Sequence, residues 1–351
     1  MKYFIALIVS LGFSAPVWAE QKVPQSQMEI QLSFVPLVKQ AAPAVVNIYA
    51  TRVTEARGNS FLDDPFFQRF FEGAAPEPRA QNSLGSGVIL SPNGIVVSNY
   101  HVVGMATDIR VVLNNRREYS ARVLLGDEAS DLAILQLEDA SDLPSLALRT
   151  SDDVQVGELT LAIGNPFGVG QTVSSGIISG LARSGGSDGN GTGYFIQTDA
   201  PISPGNSGGA LVDMAGRLIG INTSILTRSG GSNGIGFAIP SDLVVEFVNQ
   251  AKAGSDRFHR AWAGVSGQVL DYDMAASFGL DRSGGVIITD LHPASPFRTV
   301  GFEVGDVITA VDGQPVISGG EMLFRMSVGG IGNTAVVTRT RNGEASDVTV
   351  E

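Results

Sequence analysis

The stretch Gly205-Asn206-Ser207-Gly208-Gly209 places a single serine between glycines, just before the apolar residues 210–212. A serine hydroxyl is a weak nucleophile at neutral pH, so it needs a base that accepts its proton and amide donors that stabilise the oxyanion. Neighbouring glycines suit those donors, because a backbone without Cβ atoms adopts tight conformations and lets a substrate carbonyl come close. The stretch therefore predicts either a nucleophile on a tight turn or an ordinary glycine turn.

Two classes of serine hydrolase present a nucleophile in this kind of pattern. In α/β-hydrolases the turn opens into a helix, and the acid and the histidine come later in the chain, whereas in trypsin-like proteases both precede the serine. After Ser207 the sequence predicts a hairpin, with strands at residues 210–212 and 218–222 around the turn at residues 213–216. The absence of a helix-like pattern there favours the trypsin-like class.

Histidine is the side chain that most often transfers protons near neutral pH. Of the three histidines, His101 directly follows a predicted strand in the same domain as Ser207. His259 lies in a predicted linker, and His292 lies in a predicted second domain. His101 is therefore the candidate base; the alternative for a lone histidine is a structural role.

The candidate acid is Asp131, which precedes the apolar strand predicted at residues 132–137. An unpaired carboxylate at the start of a buried strand would be costly, so we expect it to have a partner. The alternative is an ordinary turn residue that begins a strand. Together, the order His101, Asp131, Ser207 is typical of trypsin-like proteases and excludes the order found in α/β-hydrolases.

Composition supports a mainly β protein with about two domains. The 351 residues include 43 glycines and 16 prolines, and only 7% are aromatic, which favours many short strands joined by turns in a barrel or sandwich. A net charge of −12 argues against a general affinity for nucleic acid or anionic membranes. The chain has no cysteine, which excludes disulfides and thiolate chemistry, and we expect neither a metal nor a cofactor.

The N-terminus resembles a secretory signal peptide at residues 1–19. Lys2 precedes a short apolar run at residues 4–13, and the small residues Val17 and Ala19 fit a cleavage site after Ala19. The alternative is an uncleaved membrane anchor. A bilayer span needs about 20 apolar residues, which is longer than this run.

The remaining chain divides into an exposed segment, a first domain, a linker and a small α+β domain. A long loop with five phenylalanines interrupts the first domain, and these rings are expected to bury against another surface or subunit, or to form a local helix on their own domain. Ser241 is expected to cap a helix at the end of the first domain. The predicted ranges are 20–33 for the segment, 34–253 for the first domain, 54–83 for its loop, 254–260 for the linker and 261–351 for the second domain.

Taken together, the motifs resemble those of the HtrA/Deg family of serine proteases, over about residues 34–351. The resemblance implies a trypsin-like double β-barrel protease domain followed by one PDZ domain. The motifs are Gly85-Ser86-Gly87-Val88-Ile89, Asn99-Tyr100-His101-Val102-Val103, Ser130-Asp131-Leu132-Ala133, Ala162-Ile163-Gly164-Asn165-Pro166-Phe167-Gly168, Gln197-Thr198-Asp199-Ala200, Gly205-Asn206-Ser207-Gly208-Gly209-Ala210-Leu211 and Gly234-Ile235-Gly236-Phe237-Ala238-Ile239-Pro240.

The resemblance also implies a role for each residue of the predicted catalytic site. Ser207 would attack the scissile carbonyl, His101 would act as base and then as acid, and Asp131 would orient His101. The turn Gly205, Asn206 and Ser207 would form the oxyanion hole, with the amides of Gly205 and Ser207 as donors.

Further roles follow from the same resemblance. Ile202, Ile225 and Leu226 would line a pocket for a small apolar side chain before the cleaved bond, and none of the three could pair with a charged substrate side chain. Arg183 opens a glycine-rich loop and matches a position that relays peptide binding to the oxyanion hole; the alternative is a solvated loop arginine.

In the second domain, Trp262, Ala263, Gly264 and Val265 resemble the loop on which PDZ domains hold a peptide C-terminal carboxylate. Two features depart from the family pattern, namely Ala263 in place of a larger aliphatic residue and Pro204 shortly before the nucleophile. The second domain has the length of one PDZ domain. Relatives with two PDZ domains build larger cages, so the resemblance implies a homotrimer here.

The predicted protein is thus an ATP-independent periplasmic endopeptidase that cleaves unfolded or misfolded proteins after small apolar residues. Peptides bound to the PDZ domain would regulate it, and no nucleic acid partner or stable membrane span is expected after cleavage of the signal peptide. One alternative is a regulatory protease that cuts a membrane-bound stress-signalling protein and keeps its N-terminal anchor. Another, of a different class, is a peptide-binding or chaperone module with little proteolysis.

Overall fold

Short strands joined by tight turns build most of the structure, as the glycine-rich composition predicts. The computed structural model describes residues 33–53, 80–165, 170–183, 194–203, 205–223, 234–278 and 283–351. The predicted signal peptide and nearly all of the predicted exposed segment lie outside these residues. So does the predicted loop up to residue 79, and the strand that follows begins at Ala80, inside the range predicted as loop.

The first barrel follows a short helix, α1 Val35–Ala41, and a 3-10 turn at Ala42–Ala44. Its strands are β1 Val45–Val53, β2 Ala80–Ile89, β3 Ile95–Ser98, β4 Asp108–Val112, β5 Glu118–Asp127 and β6 Leu132–Leu137. A short helix, α2 Tyr100–Val103, carries His101 between β3 and β4. The strands close in the antiparallel order β1-β2-β3-β6-β5-β4, so every strand is paired on both sides. All four residues of β3 are buried, which shows that its outer face is covered as well as its inner one.

A second barrel repeats this architecture after a 3-10 turn at Ser151–Asp153. Its strands are β7 Leu159–Gly164, β8 Thr172–Arg183, β9 Phe195–Thr198, β10 Ala210–Val212, β11 Leu218–Thr223 and β12 Gly236–Pro240. The closed order is β10-β11-β12-β9-β8-β7. Leu161 and Ile163 of β7 and Val212 of β10 belong to the same apolar core as the first barrel, so the two barrels pack directly on each other.

A helix, α3 Ser241–Lys252, follows the second barrel and packs on the shared core. Phe247 is fully buried, and its ring stacks on Phe258 with 3.9 Å between the ring centroids. The prediction that Ser241 caps this helix is wrong. Pro240 is the N-cap residue, and the Ser241 hydroxyl instead donates to the carbonyl oxygen of Arg149 at 2.5 Å.

A third sheet with short helices around it forms the C-terminal part. Its strands are β13 Val265–Val269, β14 Val286–Leu291, β15 Val307–Val311, β16 Gln314–Pro315, β17 Ala335–Arg341 and β18 Glu344–Val350. The helices are α4 Tyr272–Ser277, α5 Pro296–Thr299 and α6 Gly319–Val328. The main strand order is β13-β14-β15-β17-β18, which leaves β13 at one edge.

Two closed barrels and a small α+β unit confirm the predicted fold class. Among the residues that the structure describes, none of the helices is both long and apolar enough to cross a bilayer.

Asp306, a buried carboxylate of the C-terminal unit, forms an ion pair with Arg341. The Asp306 side chain is 1% exposed, and it accepts hydrogen bonds from Arg341 Nε at 2.6 Å, from Arg341 Nη2 at 2.7 Å and from Glu303 N at 2.9 Å. Burial opposes the charged carboxylate, but the hydrogen bonds from Arg341 and Glu303 outweigh burial and hold the pKa of Asp306 below its ordinary value.

Asp306→Asn is therefore expected to destabilise the C-terminal unit by about 1–2 kcal/mol at pH 7, because it removes the charged acceptor of two Arg341 hydrogen bonds. A depressed carboxyl pKa contributes stability above the unfolded pKa of about 3.9, and that stability is lost as pH falls through the folded pKa. Calorimetric scans should show the gap between wild type and variant shrinking below about pH 4. Asp290→Asn, at an exposed position, is the control; a gap that stays constant down to pH 2.5 would contradict this role.

Candidate active site

His101 and Asp131 meet at the ends of two neighbouring strands. Ser98, the last residue of β3, pairs with Ala133 near the start of β6, so the residues that follow one strand lie beside those that precede the other. Asn99 Nδ2 and Tyr100 N both donate to the carbonyl oxygen of Asp131, at 2.9 and 3.2 Å. These bonds fix Asp131 in a left-handed conformation with φ of 51°.

The carboxylate of Asp131 accepts hydrogen bonds from two sides. His101 Nδ1 lies 2.9 Å from both carboxylate oxygens, and His101 N donates to Oδ1 at 3.0 Å. Thr223 Oγ1, at the end of β11 in the second barrel, donates to Oδ2 at 2.9 Å. A neutral imidazole that donates from Nδ1 leaves Nε2 free to accept a proton, so this geometry suits a general base.

The turn that carries Ser207 is anchored to the first barrel through Ser86 of β2. Ser86 N donates to the Ser207 carbonyl at 2.9 Å, and Ser86 Oγ donates to the Gly205 carbonyl at 2.5 Å. Ser86 Oγ in turn accepts from Asn165 N at 2.8 Å. Ser86 thus anchors the turn through the carbonyl groups of Gly205 and Ser207. The Ser207 residue is 5% exposed.

Gly208 explains why a glycine follows the serine. It adopts φ of 82°, and a Cβ atom there would collide with the Ser86 carbonyl and with Ser98 Oγ. Its amide donates to the Asn222 carbonyl at 2.8 Å, and Asn222 N donates to the Gly209 carbonyl at 2.9 Å. The turn is therefore tied to β11 one residue before Thr223, which bonds Asp131.

The Ser207 turn and the His101–Asp131 pair are thus connected where the two barrels meet. The connection runs through neighbouring residues of β11, since Asn222 holds the Ser207 turn and Thr223 holds Asp131. Within the described part of the chain, no hydrogen bond joins Ser207 Oγ to His101 Nε2. In serine hydrolases that bond often tightens only when a substrate is present.

The remaining predicted residues of the cleft are described only in part. Ile202 is half-buried against the second-barrel core, next to Gly236. Arg183 ends β8 and pairs with Phe195, and its side chain lies outside the described atoms. Ile225 and Leu226 lie outside the described residues.

Thr223 and Ser86 are the two site residues that sequence reasoning missed. Ser86 stands in a glycine-flanked strand motif, and Thr223 ends a buried strand after Asn222. Neither position suggests chemistry, because each acts on a residue more than 90 positions away in the chain.

In the C-terminal unit, residues 262–265 precede and begin the edge strand β13. Trp262 is 56% exposed, whereas Ala263 packs into the core of this unit. The Ala263 carbonyl accepts from Ser295 Oγ at 2.6 Å, and the Gly264 carbonyl accepts from His292 N at 2.9 Å. Because β13 lies at a sheet edge, an extended peptide can add to it by backbone pairing.

None of the described residues forms a cluster of His, Asp and Glu side chains with the arrangement of a metal site.

Comparison with known proteins places this geometry in a family. The chain matches the trypsin-like peptidase domain family over residues 85–221 and the PDZ domain family over residues 241–351. It is 40% identical over 354 residues to a probable periplasmic serine protease do/HhoA-like of Haemophilus influenzae, covering 97% of this chain and 75% of the relative. It is 38% identical to the periplasmic pH-dependent serine endoprotease DegQ of Escherichia coli, covering 99% of this chain and 76% of that one.

Solved structures agree with these relatives. The HtrA-type protease AlgW with a decapeptide is 41% identical, with a TM-score of 0.64, and the match covers 91% of this chain and 98% of that one. AlgW with a tripeptide is 39% identical, with a TM-score of 0.66 over 91% and 96% of the two chains. The chain therefore belongs to the HtrA-type periplasmic serine proteases, with a trypsin-like peptidase domain followed by a PDZ domain.

Proposed function

We propose that His101, Asp131 and Ser207 are the catalytic triad of this endopeptidase, and that it cleaves unfolded or misfolded proteins without ATP. The observation that carries this proposal is the Asp131 carboxylate, which contacts the His101 ring and is held by Thr223 beside the Ser207 turn. A carboxylate so placed keeps the imidazole in the tautomer and orientation that a serine nucleophile needs.

The proposed reaction follows from these positions. Ser207 Oγ attacks the peptide carbonyl carbon and gives its proton to His101 Nε2, which then protonates the leaving amine as the C–N bond breaks. The amides of Gly205 and Ser207, with Asn206 between them, receive the oxyanion. Water then attacks the resulting ester and gives its proton to His101 Nε2. His101 returns a proton to Ser207 Oγ as the ester C–O bond breaks.

Thr223 is proposed as a positioning residue for Asp131. Thr223→Val removes the hydrogen bond to Oδ2 at nearly constant volume, and a bond to a charged group contributes about 1.5–3 kcal/mol, so kcat should fall about 10-fold or more. KM should change less than about 2-fold, because Thr223 acts on the acid and not on the substrate. Thr223→Ser keeps the hydroxyl and should restore most of the rate; equal kcat for wild type and Thr223→Val would contradict the role.

We further propose that the residue before the cleaved bond is small and apolar, with Ile202, Ile225 and Leu226 around it. The half-buried, apolar environment of Ile202 supports this specificity. Sequencing of casein fragments by mass spectrometry tests it: cleavage mainly after alanine, valine or similar residues is expected, and cleavage mainly after lysine or arginine would contradict it.

We also propose that peptides regulate the enzyme through the PDZ domain. AlgW has been solved with a decapeptide and with a tripeptide, and residues 262–265 here are the proposed carboxylate loop. Several contacts connect this domain and the linker before it to the protease domain. The Phe324 ring of α6 stacks on Tyr194 with 4.1 Å between centroids, and Arg325 pairs with Asp152. Arg260 bonds Asp127 and Ser130, just before Asp131.

Arg183 is the proposed relay of this regulation. Arg183→Ala should reduce the stimulation of casein cleavage by C-terminal peptides at least about 5-fold, the lower range of allosteric coupling, while Arg122→Ala on the exposed face of β5 should not. Equal stimulation of wild type and Arg183→Ala would exclude the relay. If wild type binds peptides but cleaves nothing, the chain is a peptide-binding module instead.

The N-terminus and the oligomer complete the proposal. We propose cleavage after Ala19 and a homotrimer in the periplasm. Mass spectrometry of the mature protein tests the first point, since a retained Met1 would favour the anchored regulatory protease. Sedimentation equilibrium tests the second, and a mass other than three chains would contradict it.

A further inference from the structure

Three asparagines lie buried behind the Ser207 turn. Asn47 of β1 and Asn206 are each 1% exposed, and Asn165 is 7% exposed. Within the described part of the chain, both side-chain polar atoms of Asn47 and Asn206, and Oδ1 of Asn165, have no hydrogen-bond partner. We call these three residues the asparagine cluster.

Contacts of Ser86 indicate where Asn47 lies relative to the Ser207 turn. Asn47 lies directly opposite Ser86 in the β1–β2 pair, so the two side chains project from the same face of the sheet. On that face, Ser86 Oγ contacts Gly205 and accepts from Asn165 N. The Asn47 amide therefore faces the second barrel, next to the residues that hold the Ser207 turn.

The position of Asn206 follows from its contact with Gly164. The Gly164 backbone lies so close to Asn206 that a Cβ atom on Gly164 would collide with Asn206 Oδ1 and Cα. The Asn206 side chain thus points back from the turn toward β7, where Asn165 follows Gly164. The Asn47 and Asn206 side chains therefore both lie near the contact between Ser86 and Gly205, and the Asn165 backbone joins that contact.

Folding alone does not favour this arrangement. Burial of an amide without a partner is unfavourable, and an apolar side chain of similar size would avoid that cost. Native proteins retain such groups mostly where ordered water or function requires them. A buried water molecule needs two to four polar partners, and the side-chain amides of Asn47 and Asn206 alone offer four polar atoms.

We propose that the asparagine cluster is a positioning device for the oxyanion hole. Asn206 is joined through buried water to Asn47 and Asn165, and this connection fixes the backbone on either side of Asn206, from Gly205 to Ser207. The inference rests on the proposed function of that turn. It assigns a role in the reaction to Asn47, a residue of the first barrel that touches neither substrate nor triad.

The test is Asn47→Val, measured on a chromogenic peptide substrate and by thermal unfolding. A misplaced oxyanion donor should lower kcat by about 10- to 100-fold, with KM within about 2-fold of wild type. The melting temperature should change little, because valine removes the cost of burying an amide together with its water-mediated hydrogen bonds. Ile48→Val, at the next buried position of β1, is the matched control and should keep kcat while lowering the melting temperature slightly.

Rescue separates positioning from packing. Asn47→Thr is β-branched like valine but keeps a hydroxyl that binds water, so its kcat should lie between those of Asn47→Val and wild type. Equal kcat for Asn47→Val and wild type would overturn the proposal. Failure of both Asn47→Val and Asn47→Ala to fold would also overturn it, because the amide would then serve folding.

Labelling by a fluorophosphonate keeps this inference distinct from the proposed function. Wild type that does not label defeats the proposed nucleophile itself. Wild type that labels, together with an Asn47→Val variant that labels at the same rate, defeats only the role of the cluster. Slower labelling of Asn47→Val with unchanged stability is the expected result.

Discussion

Ser207→Ala is expected to abolish cleavage of unfolded casein, with a fall in kcat of at least about 10⁴-fold. Removal of the hydroxyl removes the proposed covalent step, and what remains is the small acceleration from binding and from the oxyanion hole. The fold should be unaffected, because the anchoring bonds of the turn come from backbone groups of Gly205, Ser207 and Gly208.

The measurement is casein turnover at matched protein concentration, with folding checked by thermal unfolding. Ser145→Ala, at an exposed position, is the control and should match wild type. Residual cleavage by Ser207→Ala above about 1% of wild type, in protein free of host proteases, would contradict a serine mechanism at this residue.

Asp131→Asn should cost about 10⁴-fold in kcat although it changes only one oxygen to nitrogen. Asp131 Oδ1 accepts from the His101 amide, so the asparagine oxygen will occupy that position. Its NH₂ group then faces His101 Nδ1 and Thr223 Oγ1. An NH₂ group donates to Nδ1, which forces the proton onto Nε2 and leaves the imidazole unable to accept the Ser207 proton.

Steady-state kinetics on a peptide substrate test this reasoning. Asp139→Asn is a matched control, because Asp139 is an exposed aspartate with φ of 50°, close to the 51° of Asp131. It should leave kcat unchanged. A fall of less than about 10-fold in Asp131→Asn would mean that the carboxylate does not set the tautomer.

The sequence alone predicts the fold class because its strands are short, apolar and separated by glycine turns. Pro92 to Gly94, for example, form the turn of the hairpin between β2 and β3, with Gly94 at φ of 86°. The candidate residues His101, Asp131 and Ser207 can also be predicted from sequence, because each lies beside a strand with a recognisable apolar pattern. Helix ends are less readable: Ser241 has the chemistry of a cap, yet its hydroxyl serves a tertiary contact with Arg149.

Contacts between the barrels lie beyond such patterns. Thr223 and Ser86 look like ordinary strand residues, and only the approach of β2 and β11 to the turn gives them a role. The asparagine cluster is hidden in the same way, because Asn47 reads as one polar residue in an apolar strand. The stacking of Tyr194 on Phe324 likewise depends on how two domains meet.

Active-site labelling tests the central claim, that Ser207 is the activated nucleophile of an HtrA-type protease, most directly. Wild-type protein is treated with a fluorophosphonate and digested, and the adduct is located by tandem mass spectrometry. One adduct per chain on Ser207 is expected, with none in Ser207→Ala and strongly slowed labelling in Asp131→Asn. An adduct on another serine, or equal labelling of Ser207→Ala, would contradict the claim.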